Sequence, residues 1–312
     1  MKCEVGQNKN GGKKMKVFVT GGTGFVGREI LTQLLRAGHT VRALVREGST
    51  AKLDEPGKID VHPGDITDAA SLVGALEGCD AVIHLVGIIR EFPGRGITFK
   101  KMHVTATANI LEACDEQGVR RFVHMSSNGT RENGSTAYHR TKWQAEQMVR
   151  ESGLDWTIFR PSLIFGQGSE FVKMLTELIR RIPVVPVIGD GQYRMQPVSV
   201  VQVAESFVRA PGMPGSIGAT YHQCGGENYS YDEILDLTAR AMGREQATKV
   251  HQPLFMIKPM IKMLQGFEQF PITEDQLKML IEGNVCDPGE WAKDFELEPI
   301  SYAEGIGECV QV

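Results

Sequence analysis

No uninterrupted apolar stretch in this 312-residue sequence approaches the roughly 20 residues that a membrane-spanning helix needs. A basic excess is missing as well. The formal net charge is −4, which argues against a nucleic-acid partner, because phosphate binding normally requires a basic face. Cysteine is sparse: six residues, Cys3, Cys79, Cys114, Cys224, Cys286 and Cys309, with no Cys-x-x-Cys and no histidine pair at ligand spacing. That pattern predicts reduced thiols in a cytoplasmic protein, and neither disulfides nor a metal site. The first fourteen residues, MKCEVGQNKNGGKK, lack the apolar region and cleavage site of a signal peptide. They read as a disordered tail (1–14) ahead of a second methionine, Met15. Repeats are absent, and so is low complexity outside the tail.

What remains has a clear rhythm. KVFVT (16–20), TVRALV (40–45), a segment around Ile59 and Val61, DAVIHLV (80–86), RRFVHMSS (120–127) and LDWTIFRP (154–161) read as short strands. Helix-periodic segments lie between them: one reaching Ala37, then 68–76, 97–117 and 137–152. Such alternation implies βαβ units and a parallel sheet, which right-handed crossovers make doubly wound. The expected fold is therefore α/β, a Rossmann-type doubly wound parallel sheet spanning 15–165. Prolines at 183, 186, 197, 211 and 214 then break the chain into shorter elements. They suit a smaller C-terminal substrate or cap lobe over 166–312, with 195–224 returning to the first domain.

TGGTGFVG (20–27) follows the first strand and opens a helix, satisfying both Gly22-x-Gly24-x-x-Gly27 and Gly21-x-x-Gly24-x-x-Gly27. Glycines in this pattern tighten the turn, admit backbone close to a pyrophosphate and let the helix pack on the sheet. Free N–H groups at the helix start face the phosphates. A dinucleotide site is expected on Gly21, Thr23, Gly24, Phe25, Val26 and Gly27, the alternative being a bare tight turn. NAD-type sites place Asp or Glu at the end of the second strand for the ribose 2′-hydroxyl. Here Val45 and Arg46 stand there, with Arg42 further inside the strand. A guanidinium suits a 2′-phosphate, so NADP(H) is the expected cofactor and NAD(H) the other that fits.

AYHRTKWQAEQ (137–147) sets Tyr138 and Lys142 four positions apart on a helix, where side chains are neighbours. At this composition roughly one chain in three would hold such a pair by chance, so position must decide. Tyrosine, with a reference pKa of about 10, serves as acid or base near neutrality only if its phenolate is favoured. An ammonium about 4 Å away supplies up to roughly 4 kcal/mol at an effective dielectric near 20, before desolvation.

Together, TGGTGFVG (20–27), GDIT (64–67), HLVG (84–87), HMSS (124–127), YHRTK (138–142) and FRPSLIFG (159–166) resemble the extended and atypical short-chain dehydrogenase/reductases, of the NAD-dependent epimerase/dehydratase type. IGDGQYRMQPVSVVQVAES (188–206) resembles the start of that family's second lobe. The likeness spans about residues 15–235. It is greatest to the branch holding the dinucleotide-binding accessory subunit of mitochondrial complex I and its bacterial relatives, an impression to which TEDQLKMLIEGNVCDP (273–288) adds. The resemblance implies that Asp65 and Ile66 flank the adenine and that Leu85, Val86 and Gly87 line the cofactor groove. It implies that Arg160 and Pro161 border the nicotinamide and that Tyr138 and Lys142 form the catalytic pair. Ser127, with Ser126 as the second reading, would orient a carbonyl. The plain alternatives are a turn residue for Asp65 and a satisfied core histidine for His84, and for His84 the plain one is preferred.

This chain departs from the family in three places. Ser127 and Tyr138 are only eleven positions apart, where the extended family carries a longer insertion. His103 replaces a frequent asparagine, and Gln202 a common aspartate. The expected activity is oxidoreduction or epimerisation of a small carbonyl or alcohol. The rival from another class is a non-catalytic dinucleotide-binding assembly or sensor protein linked to respiratory or quinone machinery.

PLFMIKPMIKMLQGF (253–267) adds a partner question, placing Lys258, Lys262 and Gln265 on one stripe of an otherwise Met-rich apolar segment that Pro259 would kink or start. Such a helix can lie in a membrane interface, so membrane or quinone contact through 253–267 is one expectation. A cap helix packed on its own lobe or on another subunit is the other, since lysines snorkel from such helices. Arg194 falls where many relatives hold a sugar-nucleotide phosphate.

Overall fold

The computed structural model describes residues 13–267, 270 and 272–310. All but Lys13 and Lys14 of the expected tail lie outside the described residues. Seven strands form one parallel sheet: β1 (Lys16–Thr20), β2 (Thr40–Val45), β3 (Asp60–Pro63), β4 (Ala81–His84), β5 (Arg121–Met125), β6 (Asp155–Pro161) and β11 (Thr220–Gln223), in the order β11-β6-β5-β4-β1-β2-β3. The strand order reverses between β1 and β4. At that point loops at the carboxyl ends diverge, leaving the crevice where open α/β sheets bind ligands.

Helices cover both faces. α1 (Phe25–Arg36) packs with α5 (Val200–Arg209) on one side, burying Ile30, Leu31, Leu34, Val203 and Phe207 against Val17, Val19 and Phe159. α2 (Ala106–Glu116) and α3 (Ala137–Glu151) lie on the other, where Ile110, Cys114 and Val149 meet Phe18, Val82, Phe122 and Ile158. Each large apolar side chain so buried contributes about 1.5–3 kcal/mol. Both faces of β1, β4 and β5 are covered, so Val17–Val19, Ala81–Ile83 and Phe122–Val123 are fully buried.

Beyond β6 come β7 (Ile164–Phe165), α4 (Glu170–Arg181), β8 (Val185–Ile188), β9 (Arg194–Met195), β10 (Val198–Ser199), α5, β11, β12 (Tyr229–Ser230), α6 (Tyr231–Ala241) and β13 (Lys249–Gln252). Short two-stranded pairs β10–β7, β12–β9 and β13–β8 join them. α7 (Leu254–Leu264), α8 (Glu274–Glu282), α9 (Gly289–Asp294) and α10 (Tyr302–Val310) complete the chain. α4, α6 and α10 enclose a separate core around Phe165, Leu175, Ile234 and Tyr302.

Three expectations need correction. The segment 68–76 forms only a 3-10 turn, Ala69–Leu72, capped by the Asp68 side chain; Gly74 follows at φ +70°, a conformation that ends a helix. The helix expected from 97 opens instead as a π-turn, Lys100–Thr105. Finally, Cys224 and Cys286 are joined as a disulfide, with Cα atoms 6.2 Å apart. They are 62 residues apart in sequence, so no local spacing announces the pair; the packing of the second lobe against β11 brings them together. Cys79, Cys114 and Cys309 are free thiols.

Candidate functional site

The phosphate end is built by the turn between β1 and α1. Gly21 sits at φ +77° beside the Leu85 backbone, and Gly24 N–H donates to Gly21 O at 3.0 Å. At Gly27 an added Cβ would lie 2.2 Å from Gly21 O, so only glycine allows α1 to start this close to the sheet. The α1 N-terminus has no side-chain cap and no acidic residue in its first turn. Its orphan N–H groups therefore remain for an anion, and the cradle fits a dinucleotide pyrophosphate.

At the next strand, Arg42 is occupied: it donates to Asp60 at 2.6 Å and to the Ala75 and Glu77 carbonyls. Arg46 is exposed, and together with Lys101 it acts electrostatically on Asp65. Asp65 Oδ1 accepts from Thr67 N–H at 2.9 Å and from Thr67 Oγ1 at 2.8 Å, so the carboxylate does serve the turn. Burial pushes this carboxyl upward, but the Thr67 bonds and the two cations outweigh it and hold it below its ordinary value. Ile66 is buried, and its carbonyl accepts from Asn109.

Across the switch point, Leu85 is buried, Val86 half-buried and Gly87 open. A Cβ on Gly87 would stand 3.0 Å from Lys142 Nζ, which places the lysine against the loop that follows β4. His84 is fully buried and satisfied by Thr20 Oγ1 at 2.7 Å and Thr107 Oγ1 at 3.2 Å. That is the core histidine expected of it.

Tyr138 and Lys142 share the inner face of α3, which Thr136 caps through His139 N–H. Lys142 is buried and donates to Met125 O at 2.9 Å. Burial lowers its ammonium to about 8, against the raising effect of Glu146. Ser127 bonds Thr130 Oγ1 at 3.0 Å and lies close enough to the Tyr138 phenol to act on its titration. Burial raises the phenol above its ordinary value, Ser127 pulls it down, and the net direction is upward. The lysine does not figure among the causes of that shift, and its ammonium is engaged by Met125 O. Ser126 is buried and points to Thr130 at 3.3 Å.

Arg160 gives Glu146 a bidentate pair, Nε–Oε1 2.9 Å and Nη2–Oε2 2.6 Å, around a fully buried carboxylate. Its guanidinium therefore braces α3 against β6, while Pro161, at the strand end, accepts from Asn128 N–H. Sequence reasoning noted His103 only as a departure. In the structure it bonds Thr141 Oγ1 at 2.9 Å and the Ile88 backbone, and its ring meets Tyr138 edge-on at 5.4 Å. The π-turn aims it there; such turns concentrate at functional sites. Desolvation, aided by nearby Lys142, lowers His103 to about 2, so it is a neutral link. Arg194, expected near a phosphate, is instead tied to Asn228 and Glu233.

α7 buries only Ile257 and Ile261, which pack against Leu277 of α8. Pro259 lies inside the helix, and Phe255 (75% exposed), Met256, Met260 and Met263 (73%) stand outward with Lys258 and Lys262. Among the described residues no helix is long and apolar enough to cross a membrane.

Residues 21–175 match the NAD(P)H-binding family model. The mitochondrial NADH-ubiquinone oxidoreductase 40 kDa subunit of Neurospora crassa is 26% identical over 304 residues, covering 96% of this chain and 79% of that protein. The 3 beta-hydroxysteroid dehydrogenase/Delta 5-->4-isomerase of Mycobacterium tuberculosis is 32% identical over 222 residues, 62% of this chain and 60% of that one. In fold, UDP-glucose 4-epimerase from Thermotoga maritima superposes with a TM-score of 0.74 at 21% identity, covering 95% and 97% of the two chains.

Proposed function

From the premise that this chain carries an NAD(P)H-binding domain, we propose that it is an oxidoreductase or epimerase acting on a small carbonyl or alcohol, with NADP(H) as its preferred cofactor. The observation that carries this reading is the convergence of Ser127, Tyr138 and Lys142 beside Gly87 at the carboxyl ends of β4 and β5.

The bound nicotinamide supplies or accepts the hydride. In reduction, Tyr138 donates its phenolic proton to the developing alkoxide, and Ser127, beside that phenol, orients the substrate oxygen. Lys142 holds its position through Met125 O and would offer its remaining N–H donors to the nicotinamide ribose. Burial keeps the Tyr138 phenol protonated near neutrality but makes it a weaker acid than a free tyrosine, which counts against turnover. Asp65 and Ile66 would border the adenine, and exposed Arg46 would meet a 2′-phosphate. Leu85 and Val86 line the groove, and Arg160 acts by bracing α3 beside Pro161.

Mixing the protein with 4-deuterated NADPH and a panel of ketones, then measuring deuterium in the alcohols, tests the activity. Cofactor binding without any deuterium transfer would favour the second reading, a non-catalytic dinucleotide-binding assembly or sensor protein. That reading is supported by the phenol's upward shift and by the complex I relative. It also accommodates a cytoplasmic protein that meets a membrane or quinone-bearing partner through the exposed face of 253–267. The cap-packing alternative is weakened there by how little of α7 is buried.

A further inference from the structure

Ser127 and Tyr138 are only eleven positions apart, and a strap from the second lobe is fastened along the loop between them. Asn128, next to Ser127, donates to Asn284 Oδ1 at 2.7 Å and to Val285 O at 3.0 Å. In mid-loop, Arg131 pairs with Glu282, and Ser135 Oγ donates to Glu282 Oε2 at 2.9 Å. Next to Tyr138, Ala137 N–H reaches Asp275 Oδ2 at 3.3 Å. The strap is anchored from behind as well. Asn284 N–H donates to Arg194 O at 2.8 Å, Gln196 N–H to Asn284 O at 2.9 Å, and Cys286 N–H to Gln196 Oε1 at 3.1 Å. Its covalent anchor is Cys286–Cys224, where Cys224 is fully buried directly after β11. Two residues earlier, His222 Nδ1 meets Asn128 Oδ1 at 3.1 Å, so β11, the strap and the serine loop close one ring of contacts.

We propose that Glu282–Cys286 is the serine-side wall of the candidate site, a specificity-determining segment held over Ser127 by the Cys224–Cys286 disulfide. This rests on the reading of Ser127 and Tyr138 as the reacting face. The wall replaces the bulk that a longer loop would supply. Asn284 sets the serine loop through Asn128, while Val285, half exposed beside it, presents an apolar side chain at the edge. Cutting the disulfide frees the strap at its C-terminal end, and the serine loop loses the support that fixes the Ser127–Tyr138 spacing.

Hydrogen–deuterium exchange on the full chain tests the wall without requiring a substrate. Under oxidising conditions, peptide mapping should recover the Cys224 and Cys286 peptides joined. A phosphine reductant then cleaves the S–S bond: both sulfurs become thiols with protons from water, and the phosphine takes the water oxygen as its oxide. Exchange should rise at least several-fold in 282–288 and, with it, in 126–137, while β1 and α1 stay protected and NADPH affinity holds within about twofold. Cys286→Ser should reproduce this without reductant. Asn284→Ala, with the disulfide intact, should raise exchange around 126–130 alone. Unjoined cysteine peptides, or a strap that loosens while 126–137 keeps its protection, would overturn the proposal. Absence of turnover with any ketone would count against the catalytic reading and leave this result unaffected.

Discussion

Lys142 Nζ donates to the carbonyl oxygen of Met125 at 2.9 Å, from a helix to the end of the strand that leads into Ser126 and Ser127. An ammonium in this buried position is charged at a cost, and its value falls to about 8, chiefly by desolvation. An unfolded lysine titrates near 10.4. The folded chain therefore carries no penalty from this group above about pH 10.4. The penalty grows as pH falls toward 8 and is fully present below it. Lys142→Met should raise the neutral-pH melting temperature and flatten the stability profile between about pH 8 and 10. It should also weaken NADPH binding, through loss of a ribose donor. Thermal unfolding across that pH range and calorimetry check both; an unchanged pH profile would show that the lysine is not desolvated.

Tyr138 lies beside Ser127, and its phenol is raised by burial. Tyr138→Phe removes only the hydroxyl, so turnover of any substrate found should fall on the order of 10²-fold or more with cofactor affinity preserved. Single-turnover measurement of NADPH oxidation is the check. Turnover at the parental rate would reduce the residue to part of a binding surface.

Arg46 is exposed next to Asp65, while Arg42 is consumed by Asp60. Arg46→Ala should weaken NADP(H) roughly 10-fold or more, as loss of a charge-assisted bond implies, and leave NAD(H) nearly unchanged. Titration calorimetry with both cofactors decides it. Equal losses for the two would place Arg46 away from the 2′-position.

Phe255, Met256, Met260 and Met263 form an exposed apolar face beside Lys258 and Lys262. The parent protein should co-sediment with vesicles containing anionic lipid and much less with neutral ones. Met260→Glu, which sets a charge on the apolar side, should abolish sedimentation with cofactor affinity intact. A parent protein that stays in the supernatant would leave α7 as a cap helix.

Strands β1, β2, β4, β5 and β6, the glycine turn and the helix carrying Tyr138 and Lys142 were legible because each is written in contiguous residues. Period-two and period-3.6 patterns, and glycines where a Cβ would collide with the turn, are local constraints. So is the i, i+4 spacing that puts Tyr138 and Lys142 on one face. The false helix over 68–76 shows the limit of periodicity, since Gly74 and the Asp68 cap stop it after one turn. Tertiary structure decided the rest. It bonded Lys142 to Met125, spent Arg160 on Glu146 and Arg194 on Glu233, and drew His103 to Tyr138 through a π-turn. It also joined Cys224 to Cys286 and laid Asn284 on Asn128 across 156 positions of chain. These partners are separated by long stretches of sequence. Their pairing follows from which faces bury together and which buried polar groups then need a partner, and neither is encoded in any local spacing.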